Sequence, residues 1–142
     1  MKILITGVAG LLGSRLADWV LDNTDHDVIG VDDLSGGYIE NVYSKVKFYE
    51  FDLVDQSQVK ALFENEEPDI VYHYAAYAAE GLSPFIRKYN YENNLIASTN
   101  LITNSIQFDV NRFVFASSMS VYGDAYDPPF SENMQQVPID PY

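Results

Sequence analysis

The chain has 142 residues, 47% of them hydrophobic, which suits one domain with a real core and leaves no room for a second. Its 8 basic and 21 acidic residues give a net charge of −13, so a nucleic-acid backbone or an anionic membrane would be repelled. Cysteine is absent, which excludes disulfides and thiolate metal sites, gives secretion no support and points to the cytoplasm. No His and carboxylate cluster has metal-ligand spacing, so no metal is expected. The expected first strand starts at Lys2, without an n-region or cleavage site ahead of it. Arg15 and Asp18 interrupt the most apolar helical segment, so neither a signal peptide nor a membrane span is expected.

Apolar runs alternate with segments of helical period, the repeated βαβ pattern. Ile3-Leu4-Ile5 predicts a strand over 2–6, followed at once by Gly7, Gly10 and Gly13 at three-residue spacing. Gly7 lets the chain turn off the strand, Gly10 lets the backbone approach a pyrophosphate, and Gly13 lets the next helix pack on the strand. Free N–H groups at the helix start then face the anion. The triplet alone also fits a tight strand-to-helix turn with no ligand. A helix over 11–22 is expected to bury Leu12, Leu16, Trp19 and Val20. The strand at 27–32 ends in Asp32, nineteen residues beyond Gly13. A carboxylate there accepts both ribose hydroxyls of an adenosine and repels a 2′-phosphate, which favours NAD over NADP.

A third strand is read at 46–51, then a helix at 55–65, capped by Asp55 and burying Val59, Leu62 and Phe63. A fourth strand covers 69–74. The longest helix is expected to start at Ser83-Pro84, with Phe85, Tyr89, Leu95, Thr99, Ile102 and Ile106 at roughly helical spacing. A fifth strand covers 112–117, and the turn-rich residues 124–142, with Pro128, Pro129, Pro138 and Pro141, read as an ordered loop or a frayed end. Right-handed crossovers then predict an α/β fold, a Rossmann-type doubly wound parallel sheet in the order 3-2-1-4-5, truncated after the fifth strand. The ligand crevice falls at the carboxyl ends of strands one and four.

Several motifs in this order resemble the extended short-chain dehydrogenase/reductase superfamily, and within it the NAD-dependent nucleotide-sugar epimerases and dehydratases. They are Thr6-Gly7-Val8-Ala9-Gly10-Leu11-Leu12-Gly13, Asp32-Asp33-Leu34-Ser35, Asp52-Leu53, His73-Tyr74-Ala75-Ala76 and Asn93-Asn94. Ser117-Ser118-Met119-Ser120-Val121-Tyr122-Gly123 and Asp140-Pro141-Tyr142 complete the set. The resemblance implies NAD as cofactor, with Leu11 and Leu12 flanking its pyrophosphate. Asp32, Asp33, Leu34, Ser35, Gly36 and Gly37 would surround the adenosine ribose, and Asp52 with Leu53 would meet the adenine. Tyr74, Ala75 and Ala76 would line the middle of the dinucleotide, and Asn94 would lie near the nicotinamide half. Each also has a plainer reading: Asp52 as a helix cap, Tyr74 as core, Asn94 as a helix-surface amide. His73, at a buried strand end, is read as filling the core or bonding a loop. Glu80-Gly81 falls in the loop over the expected sugar site.

By the same resemblance Ser118 hydrogen-bonds the reacting sugar oxygen and Tyr142 is the proton acceptor. A phenol with an ordinary pKa of about 10 needs activation, which relatives supply with a lysine four residues later. The chain stops at Tyr142, so it is expected to be the amino-terminal NAD-binding part of a longer nucleotide-sugar enzyme and inactive as it stands. Met119 and Ser120 stand where resembling dehydratases carry carboxylates, which favours 4-epimerisation through a 4-keto intermediate. A dehydratase, a reductase or a non-catalytic NAD-binding module remain as alternatives. A bare fifth strand and exposed Tyr89, Leu95 and Ile102 lead to the expectation of a homo-oligomer.

Overall fold

A computed structural model describes all 142 residues, Met1 to Tyr142. Its strands are β1 (Lys2–Thr6), β2 (Asp27–Asp32), β3 (Lys47–Glu50), β4 (Ile70–His73) and β5 (Arg112–Phe115). They form one all-parallel sheet in the order β3-β2-β1-β4-β5, as the crossover argument requires. β1 lies at its centre, with Leu4 paired to Ile29 on one side and Val71 on the other. Successive β1 side chains point to opposite faces and each face is covered by helices, so the strand is apolar through Ile3, Leu4 and Ile5.

On one face Leu4, Val31 and Val71 pack with Val59, Leu62 and Phe63 of α2 (Gln56–Glu66). On the other Ile3, Ile5 and Val28 pack with Ala17 and Val20 of α1 (Leu11–Asn23). Asp55 caps α2 as expected, accepting from the N–H groups of Ser57 at 3.0 Å and Gln58 at 3.2 Å. Hydrogen bonds from Ser57 and Gln58 hold the Asp55 carboxyl down at about 2. At the other end of α2, buried Glu66 accepts from Lys47 Nζ at 2.6 Å and from the Tyr49 hydroxyl, fastening the helix to β3.

The buried face of α1 differs from expectation. Gly13, Ser14, Ala17 and Val20 face the sheet, whereas Leu12 and Trp19 are exposed, Trp19 at 59%. Gly13 sets the phase: a Cβ there would strike the Gly7 carbonyl and lie 2.8 Å from Val8 Cα. With Gly13 pressed on β1, positions four and seven later follow it inward. Leu12 and Trp19, about 100° away around the helix, turn outward.

The longest helix also starts later than Ser83. A single 3₁₀ turn, Glu80–Leu82, comes first, and buried Ser83 donates its hydroxyl to the Glu80 carbonyl at 2.7 Å instead of capping. The helix then runs as α3 (Arg87–Asn90), a π turn (Tyr91–Ile96) and α4 (Ala97–Gln107). Its inner face is largely polar, with Asn90, Ser98, Asn100, Asn104 and Ser105 buried alongside Ala97 and Leu101. Asn100 Nδ2 donates to the Leu53 and Val54 carbonyls at 2.9 and 3.1 Å, which anchors α4 to the loop after β3. Phe85, Tyr89, Leu95, Ile102 and Ile106 are exposed.

β5 ends at Phe115, so Ser117 and Ser118 lie beyond the strand. Residues 124–142 form a loop folded back on the domain. The Val137 N–H donates to the Val121 carbonyl at 2.8 Å, Tyr122 stacks on Phe130 with centroids 4.9 Å apart, and Asn90 reaches the Pro141 carbonyl. No helix is long and apolar enough to cross a membrane. If α1 is phased by its glycine, Gly13→Ala destabilises the fold by about 1–3 kcal/mol, because the obstructing atoms are backbone and cannot rotate away. Urea denaturation measures this, and an unchanged midpoint would show that the helix is seated some other way.

Candidate functional site

The site is built where the chain leaves β1. Gly7 has φ +70°, and a Cβ on it would lie 2.8 Å from the Ala75 nitrogen. The loops after β1 and β4 therefore touch backbone to backbone. Gly10 precedes α1 and offers no capping side chain, and the N–H groups of Leu11, Leu12 and Gly13 find no acceptor within the chain. A Cβ on Gly10 would meet only the Gly7 carbonyl, at 3.2 Å, and otherwise open space. Unpaired donors beneath an open approach are an anion seat.

Asp32 closes the floor. Its two carboxylate oxygens accept from the Ala9 and Leu34 N–H groups, each at 2.9 Å, and the residue is 8% exposed. Each oxygen keeps lone-pair capacity beyond these bonds, and the residue lines the crevice. Leu34 adopts φ +58°, the left-handed region, so the bond to Asp32 holds a strained turn at the crevice edge. Asp33 Oδ1 accepts from the Ser35 N–H at 2.9 Å and from its hydroxyl at 2.6 Å, which orders the next turn.

Gly7, Gly10, Asp32, Asp33, Ser35, Gly36 and Gly37 line the crevice together with Asp52, Leu53, Tyr74, Ala75 and Ala76. Val31, Phe51, Tyr77, Asn93 and Ala97 complete it. A second groove shares Gly10 and Gly36 and continues past Leu11, Ser14 and Arg15 to Tyr38 and Tyr43. Leu11 borders only that groove, Leu12 and Leu34 line neither, and Gly13 is buried below. Asp52 accepts from the Val54 N–H at 2.9 Å and leaves the capping of α2 to Asp55. Tyr74 lines the crevice, and burial together with the neighbouring Tyr72 pushes its phenol up. Ser118, Tyr142 and Asn94 lie outside the crevice lining.

A sequence model of the NAD dependent epimerase/dehydratase family matches residues 3–142. The chain belongs to this family. It is 35% identical, over its full length, to 43% of the UDP-glucose 4-epimerase of Streptococcus mutans. The structure of the Thermotoga maritima UDP-glucose 4-epimerase with UDP-glucose superimposes with a TM-score of 0.95 at 35% identity, covering 100% of this chain and 46% of that one. The Thermus thermophilus UDP-glucose 4-epimerase in complex with NAD gives 0.93 at 32% identity, covering 100% and 46%. The chain thus spans less than half the length of these relatives.

Two of the family motifs meet behind the crevice wall in a directional hydrogen-bond string. The Ala75 N–H donates to Thr6 Oγ1 at 3.2 Å, and Thr6 Oγ1 lies 2.7 Å from His73 Nδ1. His73 Nε2 lies 2.8 Å from Ser98 Oγ, which donates to the Asn94 carbonyl. Because the Ser98 proton is committed to Asn94, Nε2 carries the ring proton and Nδ1 accepts from Thr6. His73 is fully buried against Phe113 and Phe115, and this burial lowers its pKa to about 4. It is a neutral structural link between the β4 loop and the π turn.

Asn94 completes the wall. It accepts from the Tyr77 N–H at 2.7 Å and donates to the Tyr77 carbonyl at 3.2 Å, leaving its neighbour Asn93 to line the crevice. Tyr77 sits one residue beyond the motif position Ala76, and Asn93 belongs to the Asn93-Asn94 motif, in which Asn94 is the expected site residue. Nothing in Tyr91-Glu92-Asn93-Asn94 announces the π turn that decides which asparagine faces inward. Because folded His73 binds its proton more weakly than the unfolded chain does, protons favour unfolding between pH 6.5 and about 4. The resulting loss is about 3 kcal/mol of stability on passing down through that window. Denaturation across the range should show it, with the His73 ring resonances keeping their neutral signature to about pH 5.

Proposed function

We propose that this chain is the NAD-binding part of a nucleotide-sugar 4-epimerase. The observation that carries this reading is the open seat above Gly10, where the three first-turn N–H groups that follow it have no acceptor within the chain and the Asp32 carboxylate lines the same crevice. Gly7, Gly10 and the first turn of α1 would hold the pyrophosphate. Asp32, with Asp33 to Gly37, would hold the adenosine ribose, and Asp52 with Leu53 would meet the adenine. Tyr74, Ala75 and Ala76 would flank the middle, Leu11 and Leu12 the pyrophosphate, and Asn94 would act on the nicotinamide half through Tyr77. Bound NAD supplies a hydride acceptor that returns the hydride later.

The chain's own chemistry is proton handling at the sugar 4-hydroxyl. Tyr142 as phenolate takes that proton while the carbon is oxidised, and returns it when the 4-keto sugar is reduced on its other face. Ser118 hydrogen-bonds the same oxygen. At present its hydroxyl donates to Ser120 Oγ at 3.0 Å and accepts from the Ser120 N–H at 3.2 Å, so it must turn from Ser120 to reach substrate. Met119 and Ser120 offer no carboxylate for the proton transfers of a dehydratase, which favours epimerisation. No lysine follows Lys88 in these residues, so the lysine that the resemblance places four residues after the tyrosine is not among them. A cysteine-free chain suits the cytoplasm, and the exposed Tyr89, Leu95, Ile102 and Ile106 suit a homo-oligomer.

Calorimetry should find NAD preferred over NADP by roughly tenfold, about 1.4 kcal/mol, with the difference narrowed in Asp32→Asn and binding abolished in Gly10→Val. Equal affinities in the native chain would remove Asp32 from the ribose. Residues 1–142 are expected to epimerise no UDP-sugar, since base catalysis alone is worth roughly 10²–10⁴. Turnover that disappears in Ser118→Ala would refute this. Light scattering should give a dimer or larger species at micromolar concentration, and a stable monomer would show that the apolar helix face tolerates water.

A further inference from the structure

Asn90, on the inner face of α3, is 1% exposed, and its side chain serves two separate parts of the chain. Nδ2 donates to the Pro141 carbonyl at 3.1 Å, and Oδ1 accepts from Asn94 Nδ2 at 3.1 Å. Asn94 in turn clasps the N–H and the carbonyl of Tyr77. Tyr77 lines the crevice, and Pro141 immediately precedes Tyr142. Two amides are therefore all that separates the crevice wall from the segment carrying the tyrosine. The tail's other fastenings, Val137 on Val121 and Phe130 on Tyr122, lie at least five residues before Tyr142. A hydrocarbon at position 90 would fill the same space. Only a side chain that donates and accepts at once joins the two segments.

We propose that Asn90 is a positioning residue that holds Tyr142 in fixed register with the crevice wall at Tyr77. The inference rests on the reading of Tyr142 as proton acceptor. Proton transfer demands hydrogen-bond reach, and small displacements cost large factors in rate, so the backbone beside the phenol needs its own anchor.

The test is nuclear magnetic resonance on the 142-residue chain with labelled tyrosine, comparing native protein, Asn90→Ala and Val59→Ala. Val59 is buried in the α2 core and controls for general loss of stability. In the native chain Tyr142 should give a dispersed ring signal that responds to NAD. In Asn90→Ala it should move to the position of an unstructured tyrosine, its amide should exchange roughly tenfold faster, and its response to NAD should vanish while NAD still binds. Val59→Ala should leave Tyr142 as in the native chain. An unchanged Tyr142 in Asn90→Ala, or equal loosening in Val59→Ala, overturns the proposal. Should Asn90→Ala fail to fold, the native chain decides. Contacts from the Asn90 side-chain amide protons to Tyr142 support the inference, and their absence overturns it. Failure of the native chain to bind NAD would defeat the functional reading, whereas the mobility comparison needs no NAD and still judges Asn90.

Discussion

The contact on which the rest depends is backbone against backbone at the end of β1. Gly7 meets the chain at Tyr74 and Ala75 on one side and Gly13 on the other, with no room for a Cβ at either glycine. This closeness draws the loops after β1 and β4 together, sets the rotation of α1, and starts that helix directly after Gly10, which lines the crevice. The hydrophobic clusters on the two sheet faces supply most of the driving force for folding, but burial is non-directional and would accept other helix phases. Close backbone approach would not.

The same feature explains how a strongly acidic chain can offer a seat to an anion. No residue lining the crevice is basic. Arg15 borders only the neighbouring groove and lies 3.9 Å from Asp18, largely in solvent. Attraction must come from oriented N–H dipoles acting over a few ångströms, where the diffuse charge of the surface is screened by salt. On the proposed reading, Asp32 would then act as a filter against additional phosphate on the ribose.

The sheet order, the glycine turn, the α2 cap and most of the crevice were legible in the sequence because each is a local rule: an apolar run, a spacing, a capping side chain. What was not legible depended on particular contacts that spacing and periodicity do not encode. Leu12 and Trp19 look like the buried face of α1 until the contact between Gly13 and Gly7 fixes the phase. Ser83 looks like a cap, yet its hydroxyl turns back to Glu80. Periodicity marked an apolar stripe on the long helix but could not tell that amides would fill the opposite, buried face. Asn94 was singled out as a residue beside the cofactor, and the π turn instead puts Asn93 in the lining and sets Asn94 behind Tyr77.

The long helix carries two unlike surfaces. Its inner side is fastened by bonds with fixed direction, from Asn90, Asn94, Ser98 and Asn100, and a slip of one residue would break all of them together. Its outer side is oily and contributes little to that seat. Where the helix sits and how sticky it is are therefore separate properties of one segment. The outer residues can be rewritten toward charge, or toward a different partner, without disturbing the alignment of the nucleotide crevice behind them.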